Sequence, residues 1–320
     1  MKNKNAFTIF SILLIITVSA GCIESTHSSF NFLPADTTSY PSPTPTSSDN
    51  LDLSGNQSSN ETLRIGAFNI QVFGVTKASK PEVMDILADI IRTYDIIAIQ
   101  EIRDASQTAL PALIDLVNED GSRYDYVVSE RLGRTISKEQ YAYIYNTDAV
   151  ELTSTPQTYP EPPNTDPFHR EPYIASFRAL GGNFDATLIV IHTDPDEATE
   201  EINELGAVVE YAQSSYPEEQ DFIVMGDLNA DGSYFDEDSA STMSGSAYYW
   251  VIDDSVDTTT KSTDYTYDRI IITDSATFDL SGDAGVFRYD LEYGLTLDET
   301  VAVSDHYPVY ADIWCGRDID

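Results

Sequence analysis

Residues 63–73 read LRIGAFNIQVF and residues 95–101 read DIIAIQE. Both are dominated by apolar and β-branched side chains; the second ends in polar Gln100 and Glu101, and the first carries polar Asn69 and Gln71 just before Val72 and Phe73. Runs this short predict buried strands rather than helices. Between them PEVMDILADIIRTY has helical spacing, with Pro81 near its first turn, where its fixed φ and missing N–H cost nothing. Working outward, SQTALPALIDLVN predicts a helix from Ser106. YDYVVSE, YAYIYN, PYIASFRA and FDATLIVIHT predict strands, and PDEATEEINELGAVVEYAQSSY predicts an acidic amphipathic helix. DFIVMGD, DRIIIT and HYPVYADIW are the remaining strands. Strands outnumber helices, and several neighbouring strands are joined by connections too short for a helical crossover. Mixed sheets covered by helices are therefore expected, an α/β (α+β) class.

The chain has 320 residues, with 54 Asp plus Glu against 17 Lys plus Arg, a net charge of −37. This excludes a basic protein that coats nucleic acid. Hydrophobic residues make up 41%, which is enough to bury a large core. The two cysteines, Cys22 and Cys315, are too few to staple a fold.

Lys2 and Lys4 precede an apolar run from Ala6 to Ala20, and Ser19, Ala20 and Gly21 lead to Cys22. That is the anatomy of a signal peptide over 1–21, and the apolar run is shorter than the ~20 residues of a spanning helix. VSAGC resembles a prokaryotic lipobox, so Cys22 is the expected lipidation site and the link to a membrane. Residues 22–61 are dominated by Ser, Thr, Pro and Asn and predict a flexible tether. The folded domain is expected over 62–320, outside the cytoplasmic membrane.

Polar residues recur at the ends of the expected strands: Asn69, Glu101, His192, Asp227 with Asn229, and Asp305 with His306. Any one alone would pass as a turn or a solvated strand end. Together they make the set that metal-assisted phosphoester hydrolysis needs. Carboxylates hold a hard cation, imidazoles move protons, and amides orient phosphate oxygens.

In order along the chain, AFNIQVFG, IQEIRD, HREPYIASF, IHTDPDEATEEINEL, MGDLNADGSY, YDRII and SDHYP resemble the signature runs of the endonuclease/exonuclease/phosphatase superfamily. They are most similar to its pancreatic-type deoxyribonuclease I branch. The resemblance spans roughly Leu63 to Trp314 and implies a four-layer α/β sandwich of two packed mixed β-sheets flanked by helices. It also implies Mg²⁺- or Mn²⁺-dependent hydrolysis of DNA phosphodiester bonds.

By the same resemblance, Glu101 would be the principal metal ligand, with Asn69 and Asp305 close to the ion. His192 and His306 would be the catalytic imidazoles, oriented by Glu139 in SKEQY and Asp268 in YDR. Asp227 and Asn229 would position the attacking water and the phosphate. Arg170 in HREP would contact a phosphate oxygen, and Arg103 would reach the substrate; Tyr234 and Tyr267 would line the substrate cleft. Asp257, Thr259 and Thr263 match a structural Ca²⁺ loop in which Lys261 replaces a threonine, and Asp166, Phe168 and Glu171 match a second Ca²⁺ site. His27 and His169 have no motif role, and His169 is read as a surface or loop residue.

The chain departs from the branch in places. Gly232 and Tyr265 stand in the regions where relatives carry a disulfide. Gln71 replaces a DNA-contacting Arg, and Ser137 replaces a tyrosine that packs on a sugar. DNA binding should differ accordingly. Arg103, Arg123, Arg131, Arg134, Lys138, Arg170 and Arg178 fall in one stretch, whereas no Lys or Arg occurs between Arg178 and Lys261. The distribution fits either one basic rim beside the site or scattered surface residues, and the acidic composition suits concentrated salt. The competing readings are a phosphoesterase acting on a phospholipid or small phosphate ester and a non-catalytic binding lipoprotein. No protein partner is implied.

Overall fold

Alternation at period two splits each long strand between two environments, and this builds the layers. In the first strand Ile65 and Ala67 point into one buried cluster and Phe68 and Ile70 into another. The computed structural model describes residues 61–236 and 239–319. The expected leader, Cys22 and all of the expected tether except Glu61 lie outside the described residues. Among those described, no helix is long and apolar enough to cross a membrane.

The strands are β1 (Thr62–Phe73), β2 (Ile96–Ile102), β3 (Tyr124–Val128), β4 (Gln140–Asn146), β5 (Val150–Leu152), β6 (Gln157–Thr158), β7 (Tyr173–Ala179), β8 (Asp185–His192), β9 (Phe222–Asp227), β10 (Tyr248–Trp250), β11 (Asp268–Thr273), β12 (Leu280–Val286) and β13 (Val309–Trp314). The helices are α1 (Val75–Ala78), α2 (Pro81–Ile91), α3 (Ala109–Val117), α4 (Ala198–Ser215), α5 (Tyr289–Glu292) and α6 (Leu297–Val303). One sheet has the order β12-β13-β1-β2-β4-β3; the other has the order β10-β11-β9-β8-β7-β5, with β6 also on β7. Each is mixed, with one parallel pair at its centre: β1 with β2, and β8 with β9. The inner faces meet through residues such as Ile65, Tyr143, Ala175, Leu188 and Ile270. Leu87 and Leu113 of α2 and α3 cover the first sheet, and Ile202, Leu205 and Val209 of α4 cover the second. This is the expected four-layer α/β sandwich.

The two parallel pairs carry the candidate residues to one rim. Asn69 and Glu101 lie near the C-terminal ends of β1 and β2, and His192 and Asp227 end β8 and β9 in register with each other. β11 begins at that rim, pairing Asp268 with Asp227. Gly226 is required just before Asp227: its φ is +140°, and a β-carbon would lie 1.9 Å from the carbonyl oxygen of Ile191.

Several expectations are corrected. The helix expected from Ser106 starts at Ala109, because the Asp104 carboxylate accepts the N–H groups of Ser106, Thr108 and Ala109 and holds the preceding residues in a turn. The basic stretch does not form one rim. Arg123 precedes the start of β3, and Arg178 pairs with Asp185 at the start of β8, both at the sheet ends away from His192 and Asp227. Strands β5, β6, β10 and β12 and the short helices α1, α5 and α6 were not expected.

Candidate active site

At the end of β1 the backbone leaves strand geometry: Gln71 and Val72 have φ of 39° and 51°, and the pairing with β2 slips between Asn69 and Phe73. The kink aims the Val72 N–H at Oε2 of Glu101, 2.7 Å away. Glu101 itself has φ 61°, a left-handed conformation that L-residues adopt at a cost and that recurs at functional sites. Its Oε2 also lies 3.1 Å from Nη2 of Arg103. The Asn69 side-chain oxygen accepts the Gln71 N–H at 2.9 Å, which turns the amide nitrogen toward Asp227 Oδ2 at 2.9 Å and Glu101 Oε1 at 3.4 Å.

Two imidazole–carboxylate pairs face each other across Asp227. His192 Nδ1 lies 2.7 Å from Glu139 Oε1, and His306 Nδ1 lies 2.7 Å from Asp268 Oδ2. In both rings Nε2 is then 3.5 Å from the same atom, Asp227 Oδ2. A carboxylate on Nδ1 fixes the proton there and leaves Nε2 toward the open side of the site. Asn229 is buried behind them; its amide donates to the Thr193 carbonyl, and its N–H donates to Asp227 Oδ1.

The electrostatics follow from this enclosure. Burial works against the His306 charge, but Asp268 and Asp227 outweigh it and push the ring up to about 10. Burial also opposes the charge on His192, and Glu139 overcomes it to give a raised value. Burial would raise Asp227, yet the two imidazoles hold it below the usual carboxylate range. Asp268 is raised by its burial.

Arg170, expected to reach a phosphate, is 5% exposed and turns inward. Its Nε lies 2.9 Å from Glu139 Oε1, and the guanidinium donates to the carbonyls of His192 and Thr193. Buried Glu139 needs a compensating cation, and Arg170 supplies it. Arg103 stays half-buried between Glu101, Glu139 and the Ser137 hydroxyl. His169 lies in a loop with Nδ1 3.4 Å from Asp194. Tyr267 stands beside His306 with ring centroids 6.3 Å apart, and Tyr234 lies 5.7 Å beyond it.

Lys77 has no motif signal. Its half-buried ammonium donates to the carbonyls of Ile70 and Val303, both at 2.8 Å, and burial lowers it to about 8 despite Asp305 and Glu101 nearby.

The expected calcium residues are grouped. Asp257 Oδ1 accepts from the N–H and hydroxyl of Thr259, whose hydroxyl also reaches the Thr263 carbonyl. Lys261 leaves that loop for Asp305, at 2.9 Å. Asp166, Phe168 and Glu171 line a second, 330 Å³ cavity, in which Arg134 is paired with Asp166.

Glu101 and Asp305 are carboxylates whose side chains are 13% and 22% exposed. Oxygen donors of this kind fit a hard divalent cation such as Mg²⁺. Atoms of Asp227, Asp268 and His306 also lie within 4.8 Å of one another.

The model of the Endonuclease/Exonuclease/phosphatase family matches residues 66–306. Deoxyribonuclease-1 from Bos taurus is 37% identical over 257 residues, covering 78% of this chain and 91% of that protein. Deoxyribonuclease gamma from Mus musculus is 35% identical, covering 80% of this chain and 86% of that one. Two solved structures share the fold. An endonuclease/exonuclease/phosphatase from Bacteroides vulgatus has a TM-score of 0.56 at 17% identity, over 79% and 98% of the two chains. The human nocturnin catalytic domain has a TM-score of 0.53 at 14% identity, over 79% and 94%. Homology to deoxyribonuclease I-type phosphodiesterases thus runs over most of the sandwich, and this chain belongs to the endonuclease/exonuclease/phosphatase family.

Proposed function

We propose that the protein is a divalent-metal-dependent endonuclease that hydrolyses DNA phosphodiester bonds. The observation that carries this reading is the convergence of two carboxylate-backed imidazoles on Asp227, each Nε2 3.5 Å from Oδ2. Glu101 and Asp305 would hold Mg²⁺ or Mn²⁺, with Asn69 orienting Glu101. When bound, the ion supplies Lewis-acid stabilisation of charge on the phosphoryl oxygens.

The chain's own groups supply the proton traffic. His306, charged at neutral pH, is the donor to the leaving oxygen, and Asp268 keeps its Nδ1 protonated. Asp227, ionised between the imidazoles, orients the attacking water with Asn229 and accepts the proton that the water loses. His192, biased to its charged form by Glu139, faces charge developing on the phosphate. Arg170 acts through Glu139, and Arg103, Tyr234 and Tyr267 form the substrate wall. Ca²⁺ bound by Asp257, Thr259 and Thr263, or by Asp166, Glu171 and the Phe168 carbonyl, would stabilise the loops without taking part in chemistry. The leader over 1–21 would direct export, and a lipidated Cys22 with the tether over 22–61 would keep the domain over 62–320 outside the cytoplasmic membrane, secreted or surface-anchored.

The test is to incubate the purified protein with supercoiled plasmid, RNA, phospholipids and sugar phosphates, with Mg²⁺ or chelator. Mg²⁺-dependent nicking of plasmid is expected, falling by ~10² to 10⁴ in a folded His306→Ala variant. Turnover of a phosphate ester without nicking would transfer the same site to another substrate. Unimpaired nicking by His306→Ala would overturn the assignment of the proton donor. A melting temperature that does not rise with Ca²⁺ would remove the calcium sites.

A further inference from the structure

The loop after β9 carries Asn229 and Gly232, and the loop before β11 carries Tyr265 and Tyr267. They meet at a contact whose geometry depends on a missing side chain. Gly232 has φ +67°, and a β-carbon there would lie 2.8 Å from Cε1 and 3.2 Å from Cδ1 of Tyr265. The Tyr265 ring therefore fits against Gly232 because glycine has no side chain. Tyr265 also stacks on Tyr267, with centroids 5.1 Å apart and planes 15° apart. Tyr267 stands 6.3 Å from the His306 ring and 5.7 Å from Tyr234. Gly232, Tyr265, Tyr267 and the catalytic imidazole thus form one continuous row.

The backbone around the row is tied on both sides. Asp231 Oδ2 accepts the Thr266 N–H at 2.6 Å, the Tyr265 carbonyl accepts from Thr258 N, and the Tyr267 carbonyl accepts from Leu228 N. These bonds fix the main chain of both loops but leave the Tyr267 ring free to turn about its own side-chain torsions. Its ring neighbours restrict that rotation, Tyr265 stacked on one face and Tyr234 and His306 tilted against it.

We propose that Tyr265 is a positioning residue, held between the bare face of Gly232 and the Tyr267 ring, that sets Tyr267 against His306. The inference rests on the phosphodiesterase reading above. The contact is specific to a flat ring opposite a glycine: an aliphatic side chain at 265 cannot stack, and any side chain at 232 displaces the ring.

The experiment is a double-mutant cycle on Gly232→Ala and Tyr265→Ala in the full protein, read as plasmid-nicking kcat and KM with circular dichroism and Tm. Tyr265→Ala should lower kcat about ten-fold and also raise KM for DNA, since the displaced Tyr267 both walls the substrate and flanks His306. Tyr265→Phe should restore kcat to within about two-fold, since the ring and not the hydroxyl does the positioning. Gly232→Ala should lower kcat when Tyr265 is present and have no further effect on it once Tyr265 is Ala. The backbone strain of alanine at positive φ is common to both backgrounds and cancels in the cycle. If Tyr265→Ala does not fold, Tyr265→Leu takes its place. A folded variant without the ring but with wild-type kcat, a Phe variant as impaired as the Ala variant, or equal Gly232→Ala effects in both backgrounds would each overturn the inference. Failure of the wild-type protein to nick DNA would overturn the functional reading instead.

Discussion

Val72 illustrates how the site is bought with local strain. A β-branched residue at φ 51° is disfavoured by ~1–2 kcal/mol, and its side chain is 52% exposed, so packing does not offset that cost. What the conformation supplies is an N–H directed at Glu101. Val72→Gly keeps the N–H, removes the steric penalty and loses little burial. It gives back part of the gain in chain entropy, ~0.5–1 kcal/mol. The net expectation is a protein more stable by up to about 1 kcal/mol in urea unfolding, with nicking activity no higher than wild type. A destabilised Val72→Gly would mean that the Val72 side chain holds the kink.

Helix α6 links stability to the site at the scale of an element. Thr296 and Glu299 form a reciprocal capping box at its N-terminus. At its other end the Val303 carbonyl accepts from Lys77, the Ser304 hydroxyl donates to the Asn69 carbonyl, and Asp305 and His306 follow. Thr296→Ala should cost about 1 kcal/mol of unfolding free energy, measured by denaturant titration, with kcat unchanged because the C-terminal anchors persist. The helix was not expected from the sequence, because seven residues carry too little period to read. Strand β12, LSGDAGV, was hidden for another reason. It has neither alternation nor β-branched bulk, and it forms because β13 offers it a backbone ladder. The long strands were legible because each must bury apolar side chains on both faces. The strand-end polar residues were legible because they interrupt those runs in recognisable motifs. The inward turn of Arg170, the ammonium of Lys77 and the Tyr265–Gly232 contact were not, because each depends on partners brought together by the second sheet or by a distant loop.

Charge acts at the scale of the whole molecule, at both ends of the sandwich. Away from the site, Asp221, Asp279 and Asp318 are buried together, and Asp185 lies beside Asp318. Burial and Asp279 push Asp221 up to about 7. The folded state therefore holds a proton that the unfolded state releases near pH 4, so this group makes stability fall as pH rises from about 4 to about 7. Asp221→Asn should stabilise the protein at pH 8 and have less effect at pH 5, by urea unfolding at both pH values; equal effects at both would contradict this. At the site end, Arg103, Arg134, Arg170 and Lys261 are already paired with Glu101, Asp166, Glu139 and Asp305. Arg131 and Lys138 there bond only to backbone carbonyls among the described residues, so only a few cations can release counterions on meeting phosphate, and the steep loss of affinity that salt causes in basic nucleases has less to act on. What salt does screen is the repulsion between DNA and a chain of net charge −37. It also screens the chain's repulsion of itself, as the Debye length shrinks from ~10 Å at 0.1 M toward ~3 Å at 1 M. Nicking at fixed Mg²⁺ should therefore rise from low salt to several hundred millimolar KCl and then flatten, with Tm rising alongside. A rate series on plasmid, with circular dichroism at each point, measures both. A monotonic fall in rate with the protein folded throughout would mean that the paired arginines open to contact DNA directly, and that local contacts outweigh the charge of the whole.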